Sequence, residues 1–102
     1  MPGIEVPATS RLLLESLAPN PFNPTTTVTF TTLAPGPVTL DVHDMAGRLV
    51  ASRALGELPT GQHRASWDGR DAAGRNVASG LYILRLRDAL GAAATARALL
   101  VR

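Results

Sequence analysis

The sequence predicts an all-β fold, an immunoglobulin-like antiparallel β-sandwich of about seven strands. Three observations carry this. Runs such as "TTVTFTTL" and "LYILRLRD" alternate strictly between apolar and polar residues, the period of a half-buried strand. Turn signals built from Gly, Pro, Asn and Asp separate such runs at regular spacing. A chain of 102 residues with 45% apolar content can build one core and has little room for a second domain.

Residues 1–10, "MPGIEVPATS", are polar and contain two prolines, so they read as a linker or N-terminal extension to a domain at 11–102. They lack the cationic region and long apolar segment of a signal peptide, and the natural chain is expected to extend upstream. "RLLLESL" (11–17) is apolar, and Pro19 and Pro21 prevent a helix from growing there, which leaves a strand. In 26–33, Val28 and Phe30 point one way and Thr27, Thr29 and Thr31 the other. "APGP" (34–37) turns the chain into 38–44, with Val38, Leu40 and Val42 inward. "DMAGR" (44–48) is a hairpin connection in which Gly47 is free to take positive φ, and 48–55 pairs back. After "GELPTG", the strand at 62–68 ends on Trp67 and Asp68. A long loop rich in Gly, Asp and Asn follows at 68–80. The strand at 81–88 turns Tyr82, Leu84 and Leu86 against Arg85 and Arg87. The last strand, 93–102, places Thr95 and Arg97 opposite Ala96, Ala98 and Leu100. No internal repeat is expected.

Composition narrows the function. There is no cysteine, which excludes disulfides, thiolate metal sites and a cysteine nucleophile. All ten basic residues are arginine, scattered along the chain, and the net charge is +2. Scattered arginines at alternating positions read as a solvated face rather than a nucleic-acid footprint. Absence of lysine excludes isopeptide and Schiff-base chemistry. His43 and His63 fall on separate strands and do not form a metal pair. Ser52, Ser66 and Ser79 lack a nucleophile-elbow context, and no phosphate-binding glycine motif is present. The expectation is a protein that is not an enzyme and has no cofactor. Asp68, Asp71 and Asn76 are oxygen donors that suit Ca²⁺ chemically, but the spacing is not that of an EF-hand. Turn chemistry accounts for the same residues, with aspartates accepting backbone N–H bonds and Gly69 and Gly74 in left-handed conformations. Trp67 and Tyr82, two of only four aromatics, are expected to anchor the base of the long loop.

Taken in order, "NPFNPTTTVTF" (20–30), "VTLDVHDMAGRLV" (38–50), "GQHRASWDGRDAAGRNVASGLYILRL" (61–86) and the terminal "ARALLVR" resemble a known pattern. The chain resembles the C-terminal type A sorting domain of type IX secretion and the related immunoglobulin-like domain of FlgD-type hook-assembly scaffolds. The resemblance implies a non-enzymatic tail on a larger exported cargo protein. It is read by outer-membrane secretion and sorting proteins after passage into the periplasm, and the cargo then reaches the cell surface or the exterior. Cleavage would fall in the preceding linker. Asn20, Pro21, Phe22, Asn23, Pro24, Gly47, Arg48, Trp67, Asp68, Gly69, Gly80 and Tyr82 match motif positions. The resemblance points to the last strand, with Thr95, Arg97, Leu99, Leu100, Val101 and Arg102, as the part that partners read. An unpaired edge there would suit strand addition. The domain is expected to be a monomer, with no nucleic-acid partner and no transmembrane segment. The alternative is an accessory or structural module of an extracellular enzyme or adhesin, or a flagellar scaffold domain.

The "NPFNP" segment reads as a structural lock. Pro19, Pro21 and Pro24 restrict the backbone, and Asn20 and Asn23 are expected to bond the backbone at its bends. Phe22 is expected to tuck under one end of the sandwich.

Overall fold

Period-two alternation becomes seven strands in the computed structural model, which describes residues 11–102. The expected linker at 1–10 lies outside the described residues. The strands are β1 (Leu12–Ala18), β2 (Thr26–Thr32), β3 (Gly36–Asp44), β4 (Leu49–Leu58), β5 (Gly61–Trp67), β6 (Gly80–Asp88) and β7 (Ala93–Leu100). They form a three-stranded sheet, β1-β2-β5, and a four-stranded sheet, β4-β3-β6-β7, with every ladder antiparallel. This is the expected immunoglobulin-like sandwich.

Each sheet buries one face against the other. Val28 and Phe30 from β2 meet Leu40 and Val42 from β3, Leu84 and Leu86 from β6, and Ala98 and Leu100 from β7 in one buried cluster. All eight follow from alternation, because side chains two apart share a face. Alternation on β2 runs further than its apolar residues do. Thr26 and Thr32 also point inward and are fully buried, and their hydroxyls donate to Pro19 O and Pro59 O, each at 2.8 Å. A buried hydroxyl needs such a partner, so the two threonines tie the ends of β2 to the connections on either side.

Of the described acidic residues, Asp44, Asp68, Asp71 and Asp88 sit at turns, as expected, and Glu15 and Glu57 hold exposed strand positions. Asp41 instead lies mid-strand on β3 and is buried, accepting from Ser52 Oγ (2.6 Å) and Arg87 Nε (2.6 Å). Burial pushes its pKa up, but those hydrogen bonds and the Arg87 charge outweigh burial and hold it below the ordinary 3.8. Asp88 behaves alike: burial raises it, while bonds from Arg11 and from the Ala92 and Leu90 amides bring it below the ordinary value. A depressed folded-state pKa contributes stability that is fully present above the unfolded value. That stability disappears as pH falls through the folded value.

Two outcomes are expected. Phe30→Ala, at 0% exposure, lowers stability by about 3–5 kcal/mol in denaturant titration, with the slope unchanged. Asp41→Asn is destabilising at neutral pH, and its deficit relative to the parent shrinks as pH drops below 3.8. A deficit that is the same at every pH contradicts the ion-pair account.

Candidate functional site: the clasped terminal strand

β7 lies at the edge of its sheet, with β6 as its ladder neighbour. Edge strands ordinarily present a row of free backbone groups. The second half of β7 does not. Phe22 N–H donates to Leu99 O (2.9 Å) and Val101 N–H donates to Phe22 O (3.0 Å), a short parallel bridge between Phe22 and Leu100. The Asn20 side chain extends it: Nδ2 donates to Arg97 O and Oδ1 accepts from Leu99 N–H, both at 2.9 Å. The expectation of an open terminal edge is thus corrected for residues 97–101. The role expected of Asn20 is corrected too, because it bonds a strand far away in sequence rather than its own bend. The peptide bonds before Pro19, Pro21 and Pro24 are cis.

The clasp is anchored by aromatic packing. Phe22 is 2% exposed, and its ring centroid lies 5.7 Å from that of Trp67. Trp67 in turn meets Tyr82 edge-on at 5.1 Å. Both polar tips reach into the long loop: Trp67 Nε1–H donates to Arg70 O (2.9 Å) and Tyr82 Oη to Ala78 O (2.7 Å). Tyr82 acts as a tyrosine corner, a hydroxyl bonded to backbone a few residues upstream. Three of the four aromatics therefore fasten the "NPFNP" segment, the ends of β5 and β6, and the 68–80 loop to one another.

The chain's last residue closes the same end. Arg102 N–H donates to Ser79 Oγ (2.8 Å), its Nε to Val77 O (2.6 Å), and its Nη2 to Gly69 O. Gly69 has φ +72°, and a Cβ there would lie 2.8 Å from Arg102 Nη2 and 3.1 Å from Pro24 O. The glycine in "WDG" is favoured by its left-handed backbone and by the crowding of the Pro24 carbonyl, and a side chain there would also displace the Arg102 fork. Gly80 has no such constraint; a Cβ there would meet Tyr82 at an ordinary 3.9 Å.

The residues expected to be read by a partner fall into two sets. Thr95, Arg97, Leu99 and Val101 are exposed. Leu100 lies wholly in the core, and Arg102 is spent on the loop carbonyls. Across the β6–β7 ladder, Arg85 stands opposite Thr95, Ile83 opposite Arg97 and Leu81 opposite Leu99. One sheet face thus carries a mixed row of arginine, threonine and aliphatic side chains.

Of the long loop's oxygen donors, Asp71 alone is used in a turn, and the backbone bonds expected of Asp68 are corrected. Asp71 Oδ1 accepts from Ala73 and Arg75 N–H (2.9 and 3.0 Å), and Oδ2 accepts from Arg75 Nε (3.2 Å). The bond from the Arg75 amide is the main cause that holds the Asp71 pKa below its ordinary value. Asp68 is exposed and lies 4.0 Å from Arg70, and Asn76 bridges Arg70 through backbone. Among the described residues, no group of three or more His, Asp or Glu side chains is arranged to hold a metal ion.

The same turn recurs. Asp44 Oδ1 accepts from Ala46 and Arg48 N–H (3.0 and 2.9 Å), and Arg48 Nε donates to Oδ2 (3.1 Å). Asp88 Oδ1 accepts from Leu90 and Ala92 N–H (2.9 and 2.8 Å). Each turn ends with a glycine at positive φ, Gly47, Gly74 and Gly91. "DMAGR", "DAAGR" and "DALGA" are therefore three copies of one five-residue device. This corrects the expectation of no internal repeat. The signal was visible as D-x-x-G at 44, 71 and 88, but it is short and unevenly spaced.

A family model described as the FlgD Ig-like domain matches residues 20–91. The chain belongs to this family. The match includes the "NPFNP" segment and the long loop and stops before β7, the other half of the clasp. Among solved structures, PorU from Porphyromonas gingivalis superposes with a TM-score of 0.74 at 23% identity, over 88% of this chain and 9% of that one. FlgD from P. aeruginosa gives a TM-score of 0.63 at 19% identity, over 90% of this chain and 67% of that one. PorZ, a surface component of the P. gingivalis type IX secretion system, gives 0.58 at 27% identity, over 85% of this chain and 11% of that one. The FlgD Ig-like fold seen here thus spans a small part of the PorU and PorZ chains. No curated protein matches the sequence. No helix among the described residues is long and apolar enough to cross a membrane.

Phe22→Ala is expected to lower stability by about 3 kcal/mol in chemical denaturation; a loss below about 1 kcal/mol means the ring is not an anchor. Asn20→Ala is expected to cost about 1 kcal/mol and to speed amide exchange at Leu99 selectively. Uniform exchange across β7 in that variant would contradict the clasp.

Proposed function

We propose that this FlgD-like immunoglobulin domain is a non-catalytic, folded secretion signal at the end of a larger exported protein. It directs that cargo through the type IX machinery, by way of the periplasm, to the cell surface or beyond. The partners are outer-membrane sorting proteins, and they read the outer face of β7. The observation that carries this reading is the division of labour along that strand. Arg97 and Leu99 present side chains outward, while the backbone edge behind them is already bonded to Asn20 and Phe22. A strand so held offers a fixed side-chain pattern, and surface side chains rather than free backbone then set specificity. Likeness to PorZ, a surface component of a type IX system, supports the route. Thr95, Arg97, Leu99 and Val101 make contact, whereas Leu100 and Arg102 hold the strand in place.

A second reading rests on the family match itself. The domain would be a structural or scaffold module, as in FlgD, or an accessory unit of an extracellular protein, with a function independent of chain position.

Fusion of residues 11–102 behind a reporter, in a host with type IX secretion, separates the two. Export of the reporter is expected, and removal of 95–102 abolishes it. The more telling variant is Arg97→Glu with Leu99→Ala, which alters the exposed face and spares the core. It is expected to cut export while the thermal midpoint of the purified domain stays within a few degrees of the parent. Undiminished export by that variant removes the proposed recognition face, and absence of export by the parent fusion favours the scaffold reading.

A further inference from the structure

Two of the three D-x-x-G turns border one opening. Residues of both Asp44–Arg48 and Asp71–Arg75 line one cleft of about 670 Å³, together with Val50, Val77 and Tyr82. The second turn is tied to β4, the strand that follows the first turn, by Ala72 N–H donating to Val50 O (3.1 Å). The two loops are nearly identical in sequence, "DMAGR" and "DAAGR", and identical in hydrogen bonding. Their arginines are also used identically. Each donates Nε to its own aspartate and leaves its Nη groups without a partner among the described residues, with side chains 82% and 79% exposed.

The third turn shows the same device where only structure is at stake. The fifth residue there is Ala92, and the arginine on Asp88 comes from Arg11. Arg11 Nε takes the carboxylate at 3.1 Å, its Nη2 donates to Leu90 O (3.1 Å), and the side chain is only 19% exposed. Its fork is consumed by the fold. At the cleft, the same Nε contact instead leaves the outer edge of each guanidinium in solvent. Exposed ion pairs of this kind add little to stability, so the fold alone does not call for two such arginines at one opening.

We propose that this cleft binds an acidic peptide segment with interspersed aliphatic residues. Carboxylates pair with the Nη edges of Arg48 and Arg75, geometry that guanidinium groups favour. Aliphatic side chains rest on Leu49, Val50 and Val77. The charged residues of the cleft, Asp44 and Asp71 against Arg48 and Arg75, sum to zero. Two separate guanidinium edges with aliphatic side chains beside them suit carboxylates spaced along an apolar stem better than the single compact charge of a phosphate. The site is separate from the outer face of β7 and does not depend on the export reading.

The test titrates the full 102-residue chain, labelled with ¹⁵N, with the peptide acetyl-Leu-Glu-Leu-Glu-amide. Saturable amide shifts confined to 44–50 and 71–78 are expected. The glutamine analogue of the peptide and inorganic phosphate at equal concentration are expected to leave those amides unmoved. Arg48→Gln with Arg75→Gln is expected to weaken binding by about tenfold or more, and the corresponding lysine pair by less. An Arg53→Gln/Arg64→Gln control should bind like the parent. If the glutamine pair disturbs the spectrum elsewhere, each single substitution is read instead. Absence of saturable shifts, equal binding by the glutamine peptide, equal shifts with phosphate, or undiminished binding by the Arg48/Arg75 variants each overturns the proposal.

Discussion

One short parallel bridge, Phe22 against Leu100, holds one end of the domain together. It joins the connection between the first two strands to the last strand of the opposite sheet, so the sandwich is closed at that edge by backbone as well as by packing. Phe22 places its ring on Trp67, and Trp67 places its own on Tyr82. The rings fix the height of the clasp above the core, and the clasp in turn holds residues 97–101 straight. Without the ring in its pocket, the two backbone bonds would have no reason to persist at an exposed edge, where water competes for the same groups.

This closure changes how the terminal strand can act. An open edge invites any extended segment, including another copy of itself, whereas a bonded edge leaves recognition to side chains. Arg102 reinforces the point from the other side. It fastens the strand's end to the carbonyls of Val77 and Gly69 and so couples the strand to the loop 68–80.

Electrostatics in this small domain is local. Asp44 and Asp71 each sit inside a turn whose amides hold the carboxylate charged, Asp88 is held so first by Arg11 and then by its turn amides, and Asp41 is held so within a strand by Arg87 and Ser52. Basic side chains free among the described residues include Arg64, Arg85 and Arg97 and the forks of Arg48 and Arg75, which are available at the surface rather than committed to the fold.

Much of this was legible beforehand. Strand positions, the inward set on β2, β3 and β6, and the anchoring roles of Phe22 and Trp67 follow from alternation and from the scarcity of aromatics. Those properties are local: a side chain's face is decided by its neighbours two residues away. Turn aspartates were readable for the same reason, since their partners lie within four residues. The partners of Asn20, Arg102 and Asp41 were not. Asn20 bonds a strand 77 and 79 residues away, and Arg102 bonds carbonyls 25 and 33 residues back. Nor could repeated D-x-x-G turns announce that two of them share a cleft. By itself the sequence determined which faces are buried and where the chain turns, because period and turn chemistry are short-range. Only the tertiary structure decided that the terminal edge is clasped and which arginines stay free, because both depend on which distant segments the two sheets bring side by side.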